Sequence, residues 1–232
     1  MENSPENSYN LIIRISSDVF SLSVLDKENS LLSSKKIDAS LFTMSLDEVI
    51  QFIDNETQLN YSSVRFICES ESYTFIPQNL FKTEYAADLL HLEHKPEKNE
   101  IILFNNISAW EAVNTFAIPG TIHNAVSLLF HNATIDHHLS WFINEKVQRK
   151  SETCLYCWNR NSIFDVIVLN EGKLQLINSF KHQTPEDFTF FMLNIIDKLA
   201  LDINQSTVHL FNFENKPELG LMLEKYITVD TH

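Results

Sequence analysis

The apolar positions of residues 152 to 213 follow first the period of a strand and then that of a helix. From Glu152 to Asn159, Cys154, Tyr156 and Trp158 share one face of a predicted strand, and Ile163 to Leu169 is a mostly apolar, β-branched run of the kind buried in a sheet. The polar link Asn159-Arg160-Asn161-Ser162 predicts a hairpin between them. After Asn170, Glu171 and Gly172, which supply a turn with a positive-φ position, Leu174 to Phe180 predicts a third antiparallel strand. Thr184, Pro185, Glu186 and Asp187 start a helix: the Thr hydroxyl caps, Pro suits the first turn, and the acids favour the positive end of the dipole. Phe188, Phe191, Met192, Ile195, Ile196 and Leu199 recur at helical spacing, and Phe190 widens the apolar arc. Burial between two layers is the expectation for that helix; the other reading sets part of its face, or of the next helix, against a partner or a second copy of the chain. Thr207 to Phe213 predicts a fourth strand, and Pro217 opens a last amphipathic helix through Leu219, Leu223 and Tyr226.

The same order recurs in residues 9 to 70. Leu11, Ile13 and Ile15 alternate with polar residues, a second strand carries Phe20, Leu22 and Val24, and Leu31 to Ile37 is a more polar third strand suited to a sheet edge. Ser45 with Glu48 is a capping box ahead of Leu46, Val49, Ile50 and Ile53, and Val64 to Cys68 is a strand. Two β-β-β-α-β units are therefore predicted. Between them the pattern predicts an extended segment from Tyr73 to Pro77, a short helix over Glu84 to Glu93, and a charged loop from Glu93 to Asn99. Strands follow at Ile101 to Phe104 and Val113 to Ile118, then a helix opened by Pro119 and Gly120, a short strand near Ile135 and a helix from Trp141 to Arg149. The expected division is 1–138 and 139–232.

Composition narrows the function classes. The formal charge of −14 opposes a nucleic-acid surface, which needs clustered Lys and Arg, and disfavours anionic membranes. The polar, acidic Met1 to Asn10 lacks the regions of a signal peptide, and no apolar run reaches the roughly 18 residues of a membrane span, so the cytoplasm is the expected location. Only three glycines occur, Gly120, Gly172 and Gly220, so sites that hold phosphates by close backbone approach are hard to build.

Cys154 and Cys157 form a C-x-x-C motif, but on a strand they face opposite ways, roughly 10 Å apart, beyond disulfide reach, and no second pair completes a zinc site. His123, His131, His137 and His138 with Asp136 are the densest histidine region; on a strand the adjacent pair diverges, and no metal is expected. No Gly-x-Ser-x-Gly element supports a serine hydrolase.

The repeated β-β-β-α-β unit resembles the duplicated ribonuclease-H-like fold of actin, sugar kinases and the ATPase domain of heat-shock chaperones. Phe75-Ile76-Pro77 followed by Leu80-Phe81, and the run from Asp165 through Leu174, Asn178, Phe180 and Thr184-Pro185-Glu186-Asp187, look like an uncharacterised bacterial family with an actin-like ATPase fold. The resemblance implies an α/β chain of two ribonuclease-H-like subdomains about a cleft. In active relatives the first hairpin of each half holds nucleotide phosphates through Asp, Gly and small hydroxyl residues. Here those hairpins read Ile15-Ser16-Ser17-Asp18-Val19 and Trp158-Asn159-Arg160-Asn161-Ser162, without glycine, and the glycine cluster expected for adenosine is replaced by Asn212-Phe213-Glu214-Asn215. The expected function is thus a non-catalytic module, a pseudo-ATPase that binds an unknown protein partner or pairs as a homodimer, with no cofactor. Two alternatives stand beside it. One is an ATP-binding ATPase or kinase using Mg²⁺ and glycine-poor loops, with Ser16, Ser17, Asp18 and Asn161 as contacts; the other is a small-molecule sensor using the inter-subdomain cleft. A ribonuclease-H-type nuclease is disfavoured because Asn10 to Ile15 carries no carboxylate.

Overall fold

The computed structural model describes residues 9–57, 61–160 and 162–232. They divide between Asn144 and Glu145 into two compact units. In the first, the alternating segments become β1 (Tyr9–Ile15), β2 (Val19–Leu25) and β3 (Leu31–Asp38), followed by α1 (Leu46–Glu56) and β4 (Tyr61–Cys68). An added layer follows: β5 (Tyr73–Pro77), α2 (Ala86–His91), β6 (Glu100–Ile107) and β7 (Ala112–Pro119), with β5, β7 and β6 side by side in a three-stranded sheet. Then come α3 (Gly120–Leu129), β8 (Thr134–His137) and α4 (His138–Lys146). The second unit contains β9 (Thr153–Arg160), β10 (Ile163–Asn170), β11 (Lys173–Lys181), α5 (Pro185–Lys198), β12 (Ser206–Phe211), α6 (Pro217–Leu223) and β13 (Thr228–Thr231).

The two five-stranded sheets have the same order, β3-β2-β1-β4-β8 and β11-β10-β9-β12-β13. In each the first three strands are an antiparallel meander and the last two join in parallel. The likeness reaches single residues. The shift that carries Phe20 onto Phe164 also carries Val24-Leu25 onto Val168-Leu169, and at both places the register slips against the next strand. The helices that follow, α1 and α5, both start in capping boxes, Ser45 with Glu48 and Thr184 with Asp187. Each sheet packs one face on helices: Leu11, Ile13, Phe20 and Phe66 meet Val49, Ile53, Ile122 and Val126, and Leu155, Phe164, Val166 and Leu210 meet Phe188, Met192, Leu219 and Leu223.

Several predicted boundaries move, each for a local reason. The strand expected to reach Phe213 ends at Phe211, because Asn212 turns to φ 64°. The last helix stops at Leu223, leaving Tyr226 exposed. The helix expected from Trp141 to Arg149 is α4, which starts at His138 and ends at Lys146, and the one expected over Glu84 to Glu93 is a 3-10 turn at Thr83–Tyr85 running into α2. In β9 both faces are buried from Cys154 to Cys157, since it is the central strand of its sheet. Phe190 is 64% exposed, so α5 buries one side only. β13, a parallel neighbour of β12, has no counterpart among the predicted strands.

Candidate functional site

The tip of the β1–β2 hairpin is a two-residue turn closed by the Ser16 amide donating to the Val19 carbonyl at 2.9 Å. The Ser16 hydroxyl is buried and fully used there, donating to Asp18 Oδ1 at 2.8 Å and accepting the Val19 N–H at 2.9 Å. Ser17 and Asp18 are exposed. The structure therefore brings Ser16 and Asp18 together, and it brings them onto each other. Asn161, the fourth predicted contact, lies outside the described residues.

At the β9–β10 hairpin the residue corresponding to Ser16 is Arg160. Its guanidinium makes a two-pronged ion pair with Asp165, Nε to Oδ2 at 2.7 Å and Nη2 to Oδ1 at 2.9 Å, and Oδ1 also accepts the Ser179 hydroxyl at 2.6 Å. The two charged side chains are 7% and 0% exposed. This geometry matches the fork of a guanidinium to a carboxylate, and it turns the guanidinium inward. Below it, Asn159 and Asn212 tie the ends of β9 and β12: Asn159 Nδ2 donates to the Asn212 carbonyl at 3.2 Å, and Asn212 Nδ2 to the Asn159 carbonyl at 2.7 Å. Neither the ion pair nor the Asn clamp was found from sequence. The signal for the first was Asp165, an acid inside an otherwise apolar run, which requires a partner when buried.

Towards the end of β1, Arg14 lies over the Trp141 ring, 4.0 Å from its centroid. Burial lowers its pKa to about 10, opposed by the Glu69 charge, so it stays a cation near neutrality. The histidines separate into two kinds. His131 is exposed and His123 half-buried, whereas His137 and His138 are buried. Their rings approach to 4.2 Å, contrary to the divergence expected on a strand, because His137 closes β8 and His138 opens α4. His137 Nδ1 accepts from Asn114 Nδ2 at 2.9 Å and from the Leu139 amide at 3.3 Å, which assigns the proton to Nε2, donated to the Ser70 carbonyl at 3.0 Å. Asp136 is engaged by Arg65 at 3.1 Å and by Asn105 at 3.1 Å. Among the described residues no three His, Cys, Asp or Glu side chains converge as metal ligands.

The thiols are equally withdrawn. Cys157 Sγ meets Met192 Sδ of α5 at 3.5 Å, burial raises the pKa of Cys154 and Cys157, and that of Cys68 is pushed up to about 12 by burial with the charges of Asp136 and Glu69. No described helix is long and apolar enough to cross a membrane.

With that geometry in view, comparison with known proteins places the fold. A crystal structure from Bacteroides thetaiotaomicron, of a protein with actin-like ATPase fold and unknown function, is 25% identical with a TM-score of 0.81, covering 97% of this chain and 91% of that one. The type IV pilus biogenesis complex PilM–PilN has a chain that is 10% identical with a TM-score of 0.53, over 96% and 88% of the two chains. The ethanolamine utilization protein EutJ from Carboxydothermus hydrogenoformans is 10% identical with a TM-score of 0.50, over 98% and 86%. These last two likenesses concern the fold alone. No curated protein matches the chain. The architecture is the actin-like ATPase fold, with two mixed five-stranded sheets as in duplicated ribonuclease-H-like subdomains. Residues 1–229 match the family described as protein of unknown function (DUF3822), and the chain belongs to that family.

Proposed function

We propose that this protein is a non-catalytic actin-like module of the cytoplasm that has lost nucleotide binding and acts through contacts with another protein or a second copy of itself. One observation carries the reading: at each hairpin tip a polar side chain that could meet a phosphate, Ser16 in the first and Arg160 in the second, is bonded to the protein's own atoms. The Ser16 hydroxyl serves its own turn, and the Arg160 guanidinium is held by Asp165. A phosphate at the second tip would have to displace a buried carboxylate from a two-pronged pair, and the exposed Asp18 at the first tip repels an anion unless a cation intervenes. The charge of −14 adds to that repulsion and supports a protein partner over nucleic acid. As domains we propose ribonuclease-H-like halves 1–138 and 139–232, since β8, which ends at His137, is the last strand of the first sheet.

Calorimetric titration with Mg-ATP and Mg-ADP, with thermal unfolding alongside, tests this. The expected result is no saturable heat and no rise in Tm at millimolar nucleotide. A ligand at a hundredfold excess over its Kd would add about 2.7 kcal/mol to stability, a shift no thermal scan would miss. Saturable micromolar binding, lost in Ser17→Ala or Asp18→Asn, overturns the proposal in favour of an ATP-binding protein with glycine-poor loops.

A further inference from the structure

β13 closes the edge of the second sheet with four residues, Thr228 to Thr231, paired in parallel to β12. So short and polar a strand has little burial of its own: three of its four residues are exposed. Its far end is fixed by His232, whose amide donates to the Leu210 carbonyl at 2.9 Å and whose ring stacks on Phe211 at 4.6 Å between centroids. The same ring presents Nε2 to His209 Nδ1 at 3.1 Å. His209 belongs to β12, is 4% exposed, and stacks on Tyr156 of β9 at 4.9 Å.

A hydrogen bond between two imidazole nitrogens contains one proton, so the protonation of the two rings is linked. His209 Nε2 is buried and has no hydrogen-bond partner among the described residues, which makes a proton there unfavourable. The proton on His209 therefore belongs to Nδ1, where it faces His232 Nε2 and, at 3.5 Å, Asp230 Oδ2. Charging His232 puts a second N–H against the first. Charging His209 puts an N–H into a buried site without an acceptor, and charging both sets two cations at hydrogen-bond distance.

We propose that the His209–His232 contact is an acid-sensitive latch that holds β13 on β12 near neutral pH and releases it on acidification. The groups that face His209 are Lys150 and Glu152 ahead of β9, Tyr156 on β9 beside Cys154, and Asp230 and His232 at the end of the chain. Desolvation lowers the pKa of His209, helped by Lys150 and His232; Asp230 and Glu152 oppose it without reversing it. The sign follows. A base whose pKa is lowered in the closed state binds more protons when the strand is released, so the closed form is favoured above the ordinary histidine value of about 6.5 and loses ground below it. With one extra proton in the open form, each pH unit below that value lowers the closed-to-open ratio about tenfold.

Hydrogen exchange of the whole chain, corrected for intrinsic rates, reads this at the amides of β12 and β13. Wild type is expected to lose protection there by up to about tenfold per pH unit below about 6.5, while His209→Asn, which cannot titrate and whose amide can turn its oxygen to accept from a charged His232, shows no such slope. Equal slopes in the two proteins, or a flat wild-type profile, overturn the latch. Nitrogen chemical shifts of the two rings in wild type give a reading that does not depend on the variant folding. One ring stays neutral as long as β13 is protected; both rings charged with β13 still protected refutes the proposal.

Discussion

Replacing Asp165 by Leu tests the buried ion pair directly. The carboxylate is completely buried, its two oxygens receive the Arg160 guanidinium at 2.7 and 2.9 Å, and one also receives Ser179 at 2.6 Å. Removing it leaves a guanidinium whose side chain is 7% exposed with its principal partner gone, for which the loss is about 3–5 kcal/mol. Replacing both partners, Arg160→Met with Asp165→Leu, removes the stranded charge as well, and Ser179 at the sheet edge is half-buried, so its hydroxyl can turn to water. The double variant is therefore expected within about 1–2 kcal/mol of wild type, far less than the two single losses together. Trp158 stands directly opposite Asp165 in the strand register and, of the three tryptophans, is the one in the second unit. In a background carrying Trp110→Phe and Trp141→Phe its fluorescence follows urea unfolding of that unit alone. A single-variant loss under about 1 kcal/mol would refute the reasoning, because that is the range of an exposed pair. So would additivity of the two substitutions.

Two further outcomes are expected. Gly120→Ala is destabilised by about 1–3 kcal/mol in urea unfolding, since a Cβ there would stand 2.6 Å from the Asn99 carbonyl oxygen, a backbone atom fixed by a residue at φ 61°. An unchanged midpoint would show that the Asn99 turn yields freely. None of the three buried free thiols reacts with a disulfide reagent at mildly alkaline pH in the native protein, and all react in guanidinium, because each has its pKa raised by burial. Fast labelling of Cys154 in the native state would contradict this.

The elements legible in the sequence were those specified by neighbours along the chain. Ser45 with Glu48 and Thr184 with Asp187 close their capping boxes within three residues, and Leu11, Ile13 and Ile15 alternate because one face of β1 meets α1 and α3. β13 was not legible, because Thr-Val-Asp-Thr has no apolar face of its own and becomes a strand through the backbone groups that β12 offers. The approach of His137 and His138 was misjudged for a related reason: the strand ends between them, and that boundary is set by Asn105 of β6, whose side-chain amide pairs with the Ile135 carbonyl and the His137 amide.

The candidate site follows the same division. Ser16, Ser17 and Asp18 could be named because a hairpin tip is a local feature, but that the Ser16 hydroxyl is consumed within the turn depends on the geometry of the closed turn. At the equivalent tip the sequence offers Arg160, a cation that considered alone argues for an anion site. Asp165 reverses that argument. In a strand with apolar neighbours on both sides a lone carboxylate must find a cation, and the cation within reach across the hairpin is Arg160. The two copies of the unit thus keep the same strands, the same register slip and the same helix caps, and differ in what neutralises the polar groups at the hairpin tip: a hydroxyl turned on its own turn in one, an internal carboxylate in the other. Features of the scaffold persist in both copies, because burial and backbone pairing specify them in each, while the tips, which face away from that core, differ.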